Sequence, residues 1–132
     1  MNLKEYFGTN TGLGILSTAD REGRVNSAVF ARPHVLEDGK IAFIMGEKTT
    51  HGNLISNPNA AYLFRQDGEG WEGIRLFLKM TAEETDREKI KALSRRRKYE
   101  DETGRETKYL VYFSVENTVP LLGKGKCPVT EF

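Results

Sequence analysis

Apolar positions along this chain recur mainly every second residue, the spacing of strands with one buried face. The clearest run is 74–81, where Ile74, Leu76, Leu78 and Met80 alternate with Arg75, Phe77, Lys79 and Thr81. Residues 13–19 read as a first strand and 25–35 as a second, joined through turn residues at 20–23, so the two predict a hairpin. Asp38–Gly39 is a strong hairpin turn signal and leads into Ile41, Ala42, Phe43, Ile44 and Met45, apolar on both faces and therefore a central strand. A short helix follows and stops at Asn57–Pro58, since proline restricts the residue before it. A fourth strand over 60–65 leads to a polar loop at 66–70 and the fifth strand at 74–81. Helical patterns cover 2–7 and 86–101, the latter with a Thr85/Glu88 capping box, a thin stripe of Ile90 and Leu93, and Gly104 as a stop. A sixth strand spans 108–115, and the tail 116–132 has no periodicity, predicting an irregular segment lying on the body or on a partner. The fold class is thus mainly β: six mostly antiparallel strands closed into a barrel with flanking helices, because closure removes exposed edges.

Length and composition narrow the functional classes. The 132 residues predict one domain over 1–132, long enough to bury a core without disulfides or structural metal. Twenty basic against 19 acidic residues leave a formal net charge of +1, which argues against bulk attraction to nucleic acid or an anionic membrane. Cys127 is the only cysteine, so no internal disulfide and no CxxC site can form, which suits a reducing compartment and gives the cytoplasm as the expectation. The opening MNLKEYFGTN has no apolar run of signal-peptide length, and no segment approaches the roughly 20 apolar residues of a membrane span, so a soluble protein is expected.

The stretch GEKTTHGNLISNP, residues 46–58, concentrates the candidate chemistry. It puts Lys48, Thr49, Thr50 and Asn53 at the start of a helix directly after an apolar strand. Free N–H groups and the positive dipole end receive an anion there, with charge from Lys48 and hydroxyls from the threonines; the same residue types also serve as ordinary helix caps. Along the second strand Asn26, Ala28, Phe30 and Arg32 share one face, and Val25, Ser27, Val29 and Ala31 the other, which suits the barrel interior. Phe30 and Arg32 together offer an aromatic ring and a guanidinium to a flat heterocycle and its phosphate. TGLGIL lacks the third glycine of a dinucleotide fingerprint, and GEKTTHGN does not match the phosphate loop of nucleotide hydrolases. His34 and His51 have no carboxylate or cysteine at a spacing that suggests a metal site or a triad. The run Arg95, Arg96, Arg97, Lys98 reads as the solvated face of a helix.

The order of these features, together with KTTHGNLISNP and its preceding strand, resembles the pyridoxamine 5′-phosphate oxidase-like proteins, the FMN-binding split barrels; the likeness is best over residues 13–85. The resemblance implies a six-stranded split barrel holding FMN non-covalently, with Lys48, Thr49, Thr50 and Arg32 at the phosphate and Asn53 facing the ribityl chain or phosphate. It also implies that the backbone of Val29, Phe30 and Ala31 lines the isoalloxazine, with Ile44 and Met45 beneath it. It further implies a homodimer with two flavins at the subunit interface, Trp71 being a candidate contact from the second chain. Thr49 and Thr50 stand where the oxidases proper often carry Arg and Lys, and LLGKGKCPVTEF has no counterpart of their arginine-rich C-terminal segment, which argues against pyridoxamine 5′-phosphate as substrate. The expectation is an FMN-dependent oxidoreductase acting on a small molecule, with no acid or base assigned among the side chains. The alternative is a non-catalytic FMN or haem carrier or sensor of the same fold, with His34 or His51 available to haem.

Overall fold

The computed structural model describes residues 1–94, 107–123 and 125–132. Its first helix, α1 (Leu3–Thr9), starts where the Asn2 side chain accepts the Glu5 N–H, and it buries Leu3, Tyr6 and Phe7. Then come β1 (Gly12–Ala19), β2 (Val25–Val29), β3 (His34–Val35), β4 (Ile41–Gly46), α2 (Thr49–Ser56), β5 (Asn59–Gln66), β6 (Gly73–Glu84), α3 (Arg87–Leu93) and β7 (Lys108–Pro120).

All the strands pair antiparallel in one sheet of order β2-β1-β5-β6-β7-β4-β3. The two edge strands, β2 and β3, are consecutive in the chain, so residues 30–33 bring the edges of the sheet round to each other. Contacts across the interior show the curl. Phe43 on β4 lies 4.9 Å from the ring of Tyr62 on β5, three places away in the sheet, and 5.7 Å from the ring of Phe30. The Tyr62 hydroxyl donates to the Phe30 carbonyl at 3.0 Å. That bond requires a glycine at position 14, where a Cβ would lie 1.8 Å from the Tyr62 oxygen. The core joins α1 to the inner faces of β1, β4, β5, β6 and β7, each large side chain buried there contributing about 1.5–3 kcal/mol. A smaller cluster of Ala42, Ile90 and Leu110 seats α3 on the opposite face of β4 and β7.

The barrel class expected from the pattern holds, with three corrections. The described residues form seven strands rather than six, because the expected 25–35 strand breaks at 30–33, where Pro33 has no N–H to give a ladder. Its faces are also exchanged. Val25 and Val29 are exposed at 72% and 70%, whereas Asn26 and Ala28 are half-buried and Phe30 packs on the core. Third, Asp86 rather than Thr85 caps α3, its carboxylate accepting from the Glu88 and Lys89 N–H groups.

The later strands are longer than their alternation suggested. β6 continues to Glu84 and β7 to Pro120, with register shifts at Phe77/Leu78 and Met80/Ala82 that let the long pair bend. The chain end then lies on the body. Val129 is buried, its carbonyl accepts from the Thr118 hydroxyl, and Asn2 and Glu131 form a parallel bridge. The expected continuation of α3 to Asp101, the Gly104 stop and the Arg95–Lys98 run lie outside the described residues.

Candidate functional site

The start of α2 is built by a tight turn at the end of β4, in which the Lys48 N–H donates to the Gly46 carbonyl at 3.0 Å. Lys48 is the N-cap residue, in extended conformation, and its side chain makes no capping hydrogen bond. The first turn contains no acidic residue. Lys48 and Thr49 are exposed, whereas Thr50 and Asn53 are buried. The buried pair fasten the helix to the sheet: the Asn26 amide donates to the Thr50 hydroxyl at 3.4 Å, and the Asn53 amide to the Thr18 hydroxyl at 3.1 Å. Asn26 and Thr18 are partners across the β1–β2 ladder, so α2 rests on that end of the hairpin. Lys48 and Thr49 stay exposed, offering an ammonium and a hydroxyl beside first-turn N–H groups that have no acceptor within the helix.

His51, one residue beyond Thr50, is also buried. Its Nε2 lies 2.9 Å from Glu83 Oε2, and its ring stacks on Tyr109 with centroids 3.8 Å apart and an interplanar angle of 14°. The sequence offered no spaced partner for His51; the fold supplies Glu83 from β6, 32 residues away. The Tyr109 hydroxyl donates to Glu47 at 3.0 Å. That bond raises the phenol's pKa, with partial desolvation and the charges of Glu47 and Glu83 adding to the rise. Both carboxylates flanking the first turn of α2 are therefore already engaged by side chains.

The other sequence-derived residues do not all converge on this point. Arg32 lies past the opposite end of the hairpin. Its Nη1 donates to the carbonyls of Phe7 at 2.7 Å and Asn10 at 3.0 Å, tying down the C-terminal end of α1. From Thr18 to Gly14, whose carbonyl accepts the Phe30 N–H, the strand alone spans about 13 Å. The residue opposite Thr50 is thus Asn26, not Arg32. Ile44 and Met45 point to opposite faces of β4, Ile44 toward the α3 cluster and Met45 into the main core.

Around Phe30 the backbone is partly committed, its N–H to Gly14 and its carbonyl to Tyr62. Ladder parity then turns the N–H and C=O of Val29 away from β1, toward an edge with no further strand beside it among the described residues. Ala31 is exposed next to it. Trp71, in the loop between β5 and β6, is 66% exposed, and the Arg65 guanidinium sits over its ring, 4.7 Å from the centroid.

Among the described residues no group of three or more His, Cys, Asp and Glu is placed to hold a metal ion, and no helix is long and apolar enough to cross a membrane. A cavity of about 320 Å³ lies elsewhere, between the start of α1, the β3–β4 turn and the chain end at Phe132. None of the candidate site residues lines it.

No protein-family model matches the chain, and no curated protein matches it in sequence. Solved structures match it in fold. An FMN-binding protein from Syntrophomonas wolfei subsp. wolfei superposes with a TM-score of 0.73 at 20% identity, over 92% of this chain and 84% of that one. A NimC/NimA family protein from Clostridium acetobutylicum gives 0.67 at 18% identity, over 93% and 85%. An F420 reductase gives 0.62 at 15% identity, over 87% and 94%. At these identities the likeness is one of fold, and the chain has the split-barrel fold of the pyridoxamine 5′-phosphate oxidase-like proteins.

Proposed function

We propose that this chain is a cytoplasmic flavoprotein that holds FMN non-covalently and serves as an oxidoreductase for a small molecule. The observation that carries the reading is the open start of α2, a helix with no side-chain cap and no acid in its first turn, in a fold shared with an FMN-binding protein. A phosphate dianion matches that donor set: Lys48 supplies the charge, Thr49 a hydroxyl, and the first-turn N–H groups the remaining donors. Thr50 and Asn53 keep the helix in place from below. Arg32 acts at one remove, by tying α1 to the chain that leaves β2.

The edge at Val29 and Ala31 offers backbone donors and acceptors suited to the pyrimidine side of an isoalloxazine, and Phe30 fixes that backbone through the core. Bound flavin would supply hydride and electron transfer; the protein's part is to anchor, orient and shield.

A second copy of the chain completes this reading. The outer faces of β2, β1, β5 and β6 carry Val29, Ile15 and Leu63 in one cross-strand row, with Leu13 and Phe77 in neighbouring rows. Val29, Leu13, Phe77 and Leu63 are all exposed in the single chain. Such a face suits a self-complementary two-fold contact, and the resulting homodimer would place Trp71 beside the partner's flavin edge.

The test compares FMN with riboflavin, which lacks the phosphate, by fluorescence titration of the purified protein and of Lys48→Ala. The expected result is FMN binding weakened about tenfold to a hundredfold in the variant, with riboflavin unchanged. Equal affinity of the parent for both ligands, or for neither, would remove the phosphate seat. Turnover of NADH or NADPH, or electron transfer from reduced flavin to a quinone, separates the oxidoreductase from a carrier that holds the cofactor inertly.

A further inference from the structure

The loop between β5 and β6 holds an exposed tryptophan against a cation. Trp71 is the chain's single tryptophan, in a loop rich in glycine and acid, and 66% of it faces solvent. Arg65 covers one face of the indole at 4.7 Å, while its Nη2 donates to the carbonyls of Gly68 at 3.2 Å and Gly70 at 3.0 Å. The guanidinium thus binds the loop backbone and the ring together. Its Nε is buried without a hydrogen-bond partner among the described residues, an arrangement that costs free energy.

Arg65 also belongs to the outer sheet face: it pairs across the ladder with Leu13 and follows Leu63 on the same side of β5. The platform is therefore continuous with the apolar surface assigned to the second copy. A cation behind the indole fixes its orientation and leaves the opposite face free for a flat aromatic ring.

We infer that Arg65 is a positioning residue that presets Trp71 as a stacking platform for the flavin ring bound by the partner copy. This rests on the FMN-binding homodimer proposed above. Trp71→Ala weakens FMN and riboflavin alike, by about threefold to tenfold, because the contact is to the ring and not the phosphate. Arg65→Gln weakens both about twofold to fivefold, and has no further effect in the Trp71→Ala background. In the flavin-free protein, Arg65→Gln lowers the fluorescence anisotropy of Trp71, a readout independent of ligand.

If Trp71→Ala binds both flavins as tightly as a parent that does bind FMN, the platform is overturned while the phosphate seat stands. If Arg65→Gln weakens binding equally with or without Trp71, or leaves the anisotropy unchanged, Arg65 does not act through the indole. A parent that binds no flavin removes both the flavoprotein reading and the platform's role, and the anisotropy alone then reports what holds the loop.

Discussion

Two helices of nearly equal length follow strands in this fold, and they begin in opposite ways. α3 opens on Asp86, whose carboxylate accepts from the Glu88 and Lys89 N–H groups at 3.1 and 3.2 Å. α2 opens on Lys48, with no side-chain cap. The first helix carries its own anion at its positive end; the second presents a cation and free donors. An N-cap oxygen stabilises a helix by about 1 kcal/mol; it is supplied here at α1 and α3 and not by Lys48 at α2.

The largest expected effect comes from making α2 resemble α3. Lys48→Asp installs a cap, raising the stability of the flavin-free protein by about 0.5–1 kcal/mol in urea unfolding. It also replaces the ammonium with a charge that repels phosphate, and FMN affinity falls by about a hundredfold or more. Asp86→Ala is the mirror: about 1 kcal/mol is lost from stability and FMN affinity is unchanged. A Lys48→Asp protein that gains stability and still binds FMN like the parent would show that the open helix start is not where the ligand is held.

A smaller effect tests what keeps α2 in place. The Asn53 amide bonds to Thr18 in a buried setting, so Asn53→Ala leaves that hydroxyl without its donor and lowers unfolding free energy by about 1–3 kcal/mol, read as a shifted urea midpoint. If Asn53 instead faced the ligand, the loss would fall on FMN affinity and spare the midpoint.

How much of this was legible follows from the range of the interactions. β4 is apolar on both faces and lies inside the sheet; the Asp38–Gly39 turn and the stop at Asn57–Pro58 are local chemistry, and each stands where its residues put it. The inner face of β2 could not be read from its own residues. A strand of Val, Asn, Ser, Ala and Val points its two valines inward on local pattern alone, and the choice is reversed by Phe43 and Tyr62 holding Phe30 from across the barrel. Pro33 did carry the signal for the break in that strand. The partner of His51 and the anchor of Arg32 lie 32 and 22–25 residues away, so no spacing rule reaches them. The extension of β7 through Glu116 and Asn117 was hidden because exposed strand residues show no apolar alternation; its pairing with β6 sets its length.

The smallest expected effect sharpens the contrast from the side of α3, through pH. Glu84 ends β6 and accepts from the Tyr112 hydroxyl and from Lys89 at 3.2 Å. The Tyr112 bond first and Lys89 next hold its carboxyl below the ordinary value of 4.5, against partial desolvation and repulsion from Asp86. A carboxyl depressed in the folded state binds fewer protons there than in the unfolded chain. Its contribution to stability is therefore complete above the unfolded value near 4.5, and is lost as pH falls through the lower folded value. Tyr112→Phe keeps the ring and removes the main cause, so the variant is less stable than the parent above about pH 4.5, the difference closes as pH falls below that value, and the acid limb of its stability-against-pH curve is flatter. An acid limb that is the same in parent and variant would mean that Glu84 carries no measurable share of the stability. The fixed-anion side of the comparison would then rest on Asp86 alone.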